Sequence, residues 1–269
     1  QNLNLFFNGN NKIGEKVGVN WVLGYVLESN EYYRFSSSTN VFLNADPSKQ
    51  IVTNAVNGNI LASEYKSKDV KNSLYYSASL DLSERLLLDL SGRLERNTTI
   101  PDLNFYPSAS LGYVVTNASN AKGALSFLKL RASYGQVGIA PGLYLNQSNY
   151  VTSTAGSEGW GDYIDGANYG GSIRRSGVQG NPDLKVERVT ETEFGFDSRF
   201  FDNKLTLGFT YYDRLTTDGI LSLETPPTTG FSSRYVNAAE ISNSGIEFDF
   251  NYNLYSNNDL KLNLFGNFT

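Results

Sequence analysis

The sequence predicts an all-β protein, an antiparallel transmembrane β-barrel of which this chain forms part of the wall. Three observations lead to this prediction. Apolar and polar residues alternate in segment after segment, tight turns alternate with much longer connections, and aromatic residues make up 13% of the chain. We expect residues 1–269 to be one segment of a single barrel domain.

The alternation is clearest in the two runs 76–83 and 86–95, which meet at the tight turn Glu84-Arg85. Each run places apolar side chains on one face and polar side chains on the other, as a strand with a period of two requires. The pattern recurs throughout the chain and predicts about ten to eleven strands. Further runs of this kind are 17–27, 111–115, 128–134, 194–200, 205–211, 246–254 and 260–264.

The connections between these runs differ in length in a regular order. Tight turns are predicted at 8–11, 83–85, 202–204 and 256–258, whereas most of the intervening connections are long, above all 137–189. Outer-membrane barrels have short turns on the periplasmic side and long loops outside. A soluble β-sandwich also alternates and is the competing architecture, but its Greek-key links have no reason to separate short from long connections in this way.

The composition excludes several classes of protein. The chain has no Cys, His or Met, so disulfides, the usual catalytic triads and zinc sites are absent from it, and we expect no enzyme. No stretch approaches the roughly 18 apolar residues of a membrane-spanning helix. The net charge of −5 is spread with both signs, which argues against a nucleic-acid partner. The missing Met and the start directly in strand-like sequence indicate a piece of a longer secreted chain.

Several motifs are specific. Leu130–Gly138 reads LRASYGQVG, residues 181–188 read NPDLKVER, and residues 105–113 read FYPSASLGY. Residues 193–213 and 235–247 form two further blocks, the second containing EISNSGIE. Together these motifs span about half the chain and resemble the SusC/RagA family of TonB-dependent outer-membrane transporters. Two positions depart from the family pattern: Val186 stands where proline is common, and Ala239 stands in place of the usual glycine.

The resemblance implies a larger barrel of roughly 22 strands around a plug domain that lies outside this chain. It implies active import of oligosaccharides or peptides across the bacterial outer membrane, with a SusD-like surface lipoprotein as partner. Energy would come from the TonB-ExbB-ExbD complex through an amino-terminal region not included here. A siderophore or cobalamin receptor is the alternative within transport. A non-transporting structural barrel of a surface or secretion complex is the alternative from another class.

Two sets of candidate functional residues follow. If the apolar faces meet lipid, the polar faces line the lumen, where mixed charges suit docking to a plug or contact with substrate. The lumen candidates are Asp81, Asp89, Arg93, Glu95, Lys129, Arg131, Glu193, Asp197, Arg199, Glu247 and Asp249. The long extracellular loop 137–189 carries the candidates for ligand or partner contact, which could equally pack large loops together. They are Tyr144, Tyr150, Trp160, Tyr163, Tyr169, Arg174 and Arg175.

Further expectations concern the long loop and one strand glycine. Asp162 and Asp165 are candidate calcium ligands, although two carboxylates without an oxygen-rich loop fit a solvated loop better, and no other cofactor is expected. Pro182 fixes φ and favours an extended Asn181, so NPDLK is predicted to return the long loop to the next strand. Gly245 is predicted to permit a bulge or a close backbone approach.

Overall fold

The computed structural model describes residues 1–14, 16–39, 41–44, 46–56, 60–116, 124–153, 172–257 and 259–269. Its strands are β1 (Asn2–Ile13), β2 (Val17–Ser38), β3 (Leu61–Leu82), β4 (Leu86–Asn97), β5 (Asn104–Val114), β6 (Leu125–Ile139), β7 (Tyr150–Ser153), β8 (Ser172–Arg175), β9 (Val178–Gln179), β10 (Glu187–Phe200), β11 (Leu205–Glu224), β12 (Ser233–Ser256) and β13 (Lys261–Phe268). Three short 3₁₀ turns lie at Pro47–Lys49, Val52–Asn54 and Pro227–Thr229. No helix among the described residues is long and apolar enough to cross a membrane.

The long strands form one antiparallel sheet in the order β1-β2-β3-β4-β5-β6-β10-β11-β12-β13. Each of these strands pairs with its successor, apart from the excursion between β6 and β10, so the sheet is an up-and-down meander. The short strands lie within that excursion: β7 pairs with β8, and β9 adds in parallel to β12. The prediction of an all-β antiparallel wall is confirmed, and β1 and β13 are its two open edges within this chain.

The tightest reversals, those after β1, β3, β10 and β12, lie at one end of the sheet, which we call the turn end. Ser83, Glu84, Phe201, Asp202 and Asn203 adopt positive φ there, as tight reversals require. The tight turns predicted at 83–85 and 202–204 are confirmed, and Asn257 begins the last reversal by accepting from the Leu260 amide. Asn258 of that predicted turn lies outside the described residues.

The turn predicted at 8–11 is wrong. These residues continue β1, pairing with β2 as far as Ile13 opposite Val17, and the chain reverses around Gly14, whose φ is +66°. Asn and Gly favour turns, but here the partner strand overrides that preference. The Trp21 indole lies over Gly9 and donates from Nε1 to Asn11 Oδ1 at 3.1 Å.

The opposite end of the sheet, which we call the loop end, carries the connections 39–60, 98–103, 140–186 and 225–232. The excursion predicted at 137–189 is shorter at both ends, because β6 continues to Ile139 and β10 begins at Glu187. Four strands contain 20 to 24 residues, far more than the roughly 9–11 that a tilted strand needs to cross a bilayer. The excess length projects beyond the bilayer at the loop end.

The apolar side chains of successive strands lie directly opposite one another and form a continuous band. Register connects them across the whole sheet, through the pairs Leu23–Tyr76, Ala78–Leu90, Leu88–Leu111, Leu111–Ala132, Ala132–Phe194, Phe209–Phe248 and Tyr252–Leu264. Many of these side chains are exposed, as residues facing lipid are. We call this surface the apolar band.

Toward the loop end, polar residues interrupt the apolar band at the level of Asn72 on β3. Asn72 lies between Leu74 and Val70 on that face, opposite Leu27 on β2 and Arg96 on β4. Tyr25 donates to Asn72 Oδ1 at 2.8 Å, so its ring stays in the band while its hydroxyl reaches the polar boundary. Tyr32 and Tyr33 lie beyond this level, in the loop-end extension of β2.

At the loop end of β5, side chains take the place of backbone pairing. The ladder between β5 and β6 ends at Ser108 opposite Gly135, although β5 continues to pair with β4 beyond that point. Arg188 of β10 donates to the Phe105 carbonyl oxygen at 3.2 Å and to Gln136 Oε1 at 2.8 Å. Its guanidinium therefore joins β5, β6 and β10 where the ladder is missing.

Candidate functional site

The face opposite the apolar band carries the charged side chains. Asp89 lies opposite Ser110, Ser110 opposite Ser133, and Ser133 opposite Glu193, so these residues share a face. The same register places all the predicted lumen candidates on it: Asp81, Asp89, Arg93, Glu95, Lys129, Arg131, Glu193, Asp197, Arg199, Glu247 and Asp249. Two open depressions lie on this polar face.

Part of the polar face is a network within the wall itself. Arg93 Nε donates to Glu95 Oε2 at 2.8 Å, and Arg93 Nη2 donates to Ser73 Oγ at 2.7 Å. Ser73 is 2% exposed and donates in turn to Glu95 Oε2, and Lys71 Nζ lies 3.8 Å from the other carboxylate oxygen. Glu95 therefore meets three partners on β3 and β4. Much of its hydrogen-bonding capacity is used before any other domain approaches.

A second network joins β6, β10 and β11. Arg131 Nε lies 3.0 Å from Asp197 Oδ2, an ion pair without the alignment of a hydrogen bond, and Arg131 Nη2 donates to Thr210 Oγ1 at 3.3 Å. Ser133 donates to Glu193 Oε2 at 3.1 Å. Except for Asp197, these residues border a depression of about 250 Å³ that Gly112 and Gly195 also line.

The other candidates on this face form fewer contacts with the rest of the wall. Asp81 accepts from the Glu84 amide at the turn end, Asp89 accepts from Ser110 Oγ, and the Arg199 guanidinium carbon lies 5.0 Å from the Phe127 ring centre. Glu247 and Asp249 are exposed and form no ion pair with the described residues. Contact of any of these residues with a plug or a substrate stays a prediction.

The base of the long loop is fixed to β12 by two asparagines. Asn181 is 5% exposed; its Nδ2 donates to the Tyr235 carbonyl oxygen at 2.8 Å, and its Oδ1 accepts from Arg234 Nη2 at 2.9 Å. Asn237 accepts from the Lys185 amide at 2.9 Å and donates to the Lys185 carbonyl oxygen at 3.0 Å. The NPDLK motif thus closes the loop against β12, and its Leu184 and the adjacent Val186 are buried.

The connection 225–232 packs against the same loop base. The Gly177 carbonyl oxygen accepts from both the amide and the hydroxyl of Ser232. The Arg175 guanidinium carbon lies 4.0 Å from the Phe231 ring centre, next to Gly230, whose φ of +77° suits glycine. Arg175, predicted to contact ligand, is therefore engaged in packing one loop against another, the alternative that the sequence left open.

The remaining loop candidates are distributed differently. Tyr150 is 70% exposed and pairs with Arg175 across the β7–β8 hairpin, where Arg174 is also exposed. Trp160, Tyr163 and Tyr169 lie outside the described residues, as do Asp162 and Asp165. Among the described residues no cluster of three or more His, Cys, Asp or Glu side chains could hold a metal ion.

Tyr144 borders a cleft that sequence reasoning missed. The cleft, of about 370 Å³, lies between Tyr144 and the loop-end extension of β2 and β3, with Tyr32, Tyr33 and the segment 66–68 on its other side. Tyr32 and Tyr65 stand 6.0 Å apart between ring centres. The sequence signal for this cleft is the polar pair Ser29 and Glu31, which follows Leu27 on the apolar face of β2. Beyond this pair β2 lies outside the membrane, so its aromatic residues there can contact a ligand.

These features define a class of protein: an outer-membrane β-barrel wall with an apolar lipid face, a polar inner face and large connections at one end. The whole chain, residues 1–269, matches the family model described as TonB dependent receptor-like, beta-barrel. The chain belongs to this family of outer-membrane receptors and transporters. The fold class, the outer-membrane location and the resemblance to the SusC/RagA type are thereby confirmed at the level of family and fold.

Two curated relatives come from Formosa agariphila, a member of the Bacteroidetes. TonB-dependent receptor P26 is 26% identical over 237 residues, which cover 84% of this chain and 22% of the relative. TonB-dependent receptor P39 is 25% identical over 255 residues, covering 90% of this chain and 23% of the relative. The chain thus spans less than a quarter of the length of the relatives it matches.

Solved structures show the same fold. The RagAB peptide importer in its 'closed-closed' state superimposes with a TM-score of 0.83 at 20% identity, covering 99% of this chain and 29% of that chain. The siderophore receptor PirA from Pseudomonas aeruginosa gives a TM-score of 0.57 at 17% identity, covering 99% of this chain and 42% of that chain. The wall described here is therefore common to peptide importers and siderophore receptors, and it is closer in shape to RagAB.

Proposed function

We propose that this chain is part of the barrel of an active importer that takes up oligosaccharides or peptides with a SusD-like lipoprotein at its loop end. The observation that carries the proposal is the fit of the whole sheet to the RagAB peptide importer, which is better than its fit to the siderophore receptor. The long strand extensions and the clamped loop base add support, because they build a large, ordered surface for a partner.

In this proposal the loop end faces outside and the turn end faces the periplasm, as in other outer-membrane barrels. The polar face surrounds a plug domain supplied by another part of the protein, and TonB-ExbB-ExbD delivers the energy for opening it. The role proposed for the chain requires neither a catalytic group nor a cofactor of its own. Its role is to hold the plug and to present the loops.

The test uses the full-length receptor in cells that depend on it for growth on one nutrient. Uptake of fluorescent oligosaccharides and peptides is measured with the intact receptor and with its TonB-interacting segment deleted. We expect accumulation of one class of substrate with the intact receptor and none with the deletion. Unchanged accumulation after the deletion would show a passive barrel and overturn the proposal.

Partner capture separates the importer from a siderophore or cobalamin receptor. An affinity-tagged receptor should bring down one surface lipoprotein in stoichiometric amount, and deletion of that lipoprotein should reduce uptake. Growth that depends instead on ferric siderophore or cobalamin, with no lipoprotein bound, would favour the alternative receptor.

A further inference from the structure

Three cations follow the apolar band on its own face. Lys66 and Lys68 of β3 are an even number of residues away from Asn72 and Tyr76, so all four side chains lie on the same face of the sheet. Arg96 lies directly opposite Asn72 on β4. They therefore point to the lipid side of the sheet and not to the polar face. We call Lys66, Lys68 and Arg96 the outer basic strip.

The register gives the distance of each of these residues beyond the end of the apolar band. Arg96 lies two residues beyond Leu94, one of the last apolar residues of the band, so it stands at the lipid boundary. Lys68 and Lys66 lie four and six residues beyond Asn72 along β3, which corresponds to roughly 13 and 20 Å along the strand. The tilt of the strand reduces these distances when they are measured from the membrane. The strip thus begins at headgroup level and continues outward.

The three cations are accessible. Arg96 is exposed and forms no hydrogen bond or ion pair with the described residues. Lys66 and Lys68 lie 2.6 Å from Glu64 and Glu31, but their side chains are 72% and 58% exposed. Ion pairs as exposed as these are worth little and exchange readily for another anion.

The surroundings of the strip suit a glycolipid. The Lys66 ammonium lies 5.2 Å from the centre of the Tyr33 ring, and Tyr33 and Phe35 are 58% and 60% exposed on the same face. Aromatic rings offer flat apolar surfaces to sugars, and Lys and Arg offer charge to phosphates. The hydrogen bond and charge of Lys68 hold the pKa of the Glu31 carboxyl below its usual range.

We infer that the outer basic strip binds the phosphorylated headgroup of the outer-leaflet glycolipid, lipid A, and so fixes the depth of this wall in the membrane. The inference rests on the orientation given in the proposed function, with the loop end outside. Lys66 and Lys68 also border the Tyr144 cleft. Arg96 lies outside the cleft and directly beyond the apolar band, and this continuity favours a lipid headgroup as the ligand of the strip. Anionic headgroups attract basic residues near the surface at about 1 kcal/mol per charge.

The test measures binding of diphosphorylated lipid A to the full-length receptor by native mass spectrometry, with dephosphorylated lipid A as the second probe. We expect Arg96→Gln to weaken binding of the phosphorylated probe about five-fold. The triple variant Arg96→Gln, Lys68→Gln, Lys66→Gln should weaken it by the order of a hundred-fold. The dephosphorylated probe should bind weakly to all forms.

The matched control is Lys71→Gln, which removes a cation from the same strand at the neighbouring level but from the polar face. It should bind lipid A as the unmodified receptor does. Equal binding by the triple variant, or equal binding of both probes, would overturn the inference. So would loss of the lipoprotein partner from the triple variant while lipid A binding stays unchanged, since that outcome assigns the strip to a protein.

Nutrient uptake is measured in parallel, so that the two proposals fail separately. A receptor that binds lipid A through the strip but imports nothing contradicts only the proposed function. A receptor that imports its nutrient while the triple variant keeps full lipid A binding contradicts only the inference about the strip. Mobility on an unheated gel, which differs between folded and unfolded barrels, confirms that each variant has folded.

Discussion

The Tyr75 ring lies flat across Gly24, the residue directly opposite it on β2. The ring covers the space that a side chain on Gly24 would fill, and the Tyr75 hydroxyl reaches Asn4 of β1 at 3.4 Å. One aromatic side chain therefore crosses three strands on the polar face. The same pairing recurs where Tyr212 lies over Gly245, so an aromatic ring, and not the predicted bulge or close backbone approach, occupies the space above that glycine.

Gly24→Ala is expected to destabilise the barrel by about 1–3 kcal/mol, because the new methyl group must displace the Tyr75 ring. Gly18→Ala is the control: it lies on the same strand and face, where an added Cβ would meet only the Cβ of Asp81, at 3.7 Å. Urea unfolding of the full-length receptor in lipid vesicles measures both variants. If both variants lost the same stability, the loss at position 24 would come from replacing glycine in a strand and not from displacing the Tyr75 ring.

The strands and their two faces could be predicted because both follow from local alternation. The course of β1 could not, since residues 8–11 have the composition of a turn and are held in the strand by Trp21 on β2. The cleft beside Tyr144 was missed for the same reason. Its two sides come from β2–β3 and from the loop after β6, and no local pattern connects segments so distant in sequence.

Glu95→Gln is expected to lower the stability of the barrel by about 1–2 kcal/mol, since the carboxylate has three partners and its side chain is 13% exposed. Glu64→Gln is the comparison, because its side chain is 50% exposed and its single pair with Lys66 should matter little. Thermal unfolding of the two variants provides the measurement. If Glu95→Gln unfolds like the unmodified protein but loses transport, then Glu95 acts through the plug and not through the wall.

Asn181→Ala is expected to loosen the base of the long loop. The substitution leaves Arg234 and the Tyr235 carbonyl group without their partner, at a cost of about 1–3 kcal/mol for buried groups. Limited proteolysis should then cut within 140–186 several times faster than in the unmodified receptor. Asn243→Ala, an exposed change on β12, should leave the rate unchanged. Equal rates in all three proteins would mean that Leu184 and Val186 hold the loop without the asparagine.

Tyr144→Ala and Tyr32→Ala are expected to raise the substrate concentration needed for half-maximal uptake several-fold, because both rings border the cleft at the loop end. The maximal rate should change little, since neither residue lies on the polar face of the spanning region. Phe201→Ala, which removes an exposed ring at the turn end, is the control. A fall in maximal rate with unchanged half-saturation would place these tyrosines in assembly with a partner instead of in substrate contact.

Leu111→Lys tests which face meets lipid. Leu111 belongs to the apolar band and is 43% exposed, so a lysine there should cost about 2–4 kcal/mol in a bilayer. Ser110→Lys, one residue away, places the same ammonium group on the polar face opposite Asp89 and should cost little. Urea titration of the full-length receptor folded into vesicles gives the two free energies of unfolding. A soluble sandwich would bury its apolar face against a second sheet, so its variants would unfold alike with and without lipid. In the barrel, the large cost of Leu111→Lys should appear only when the apolar band is in contact with the bilayer.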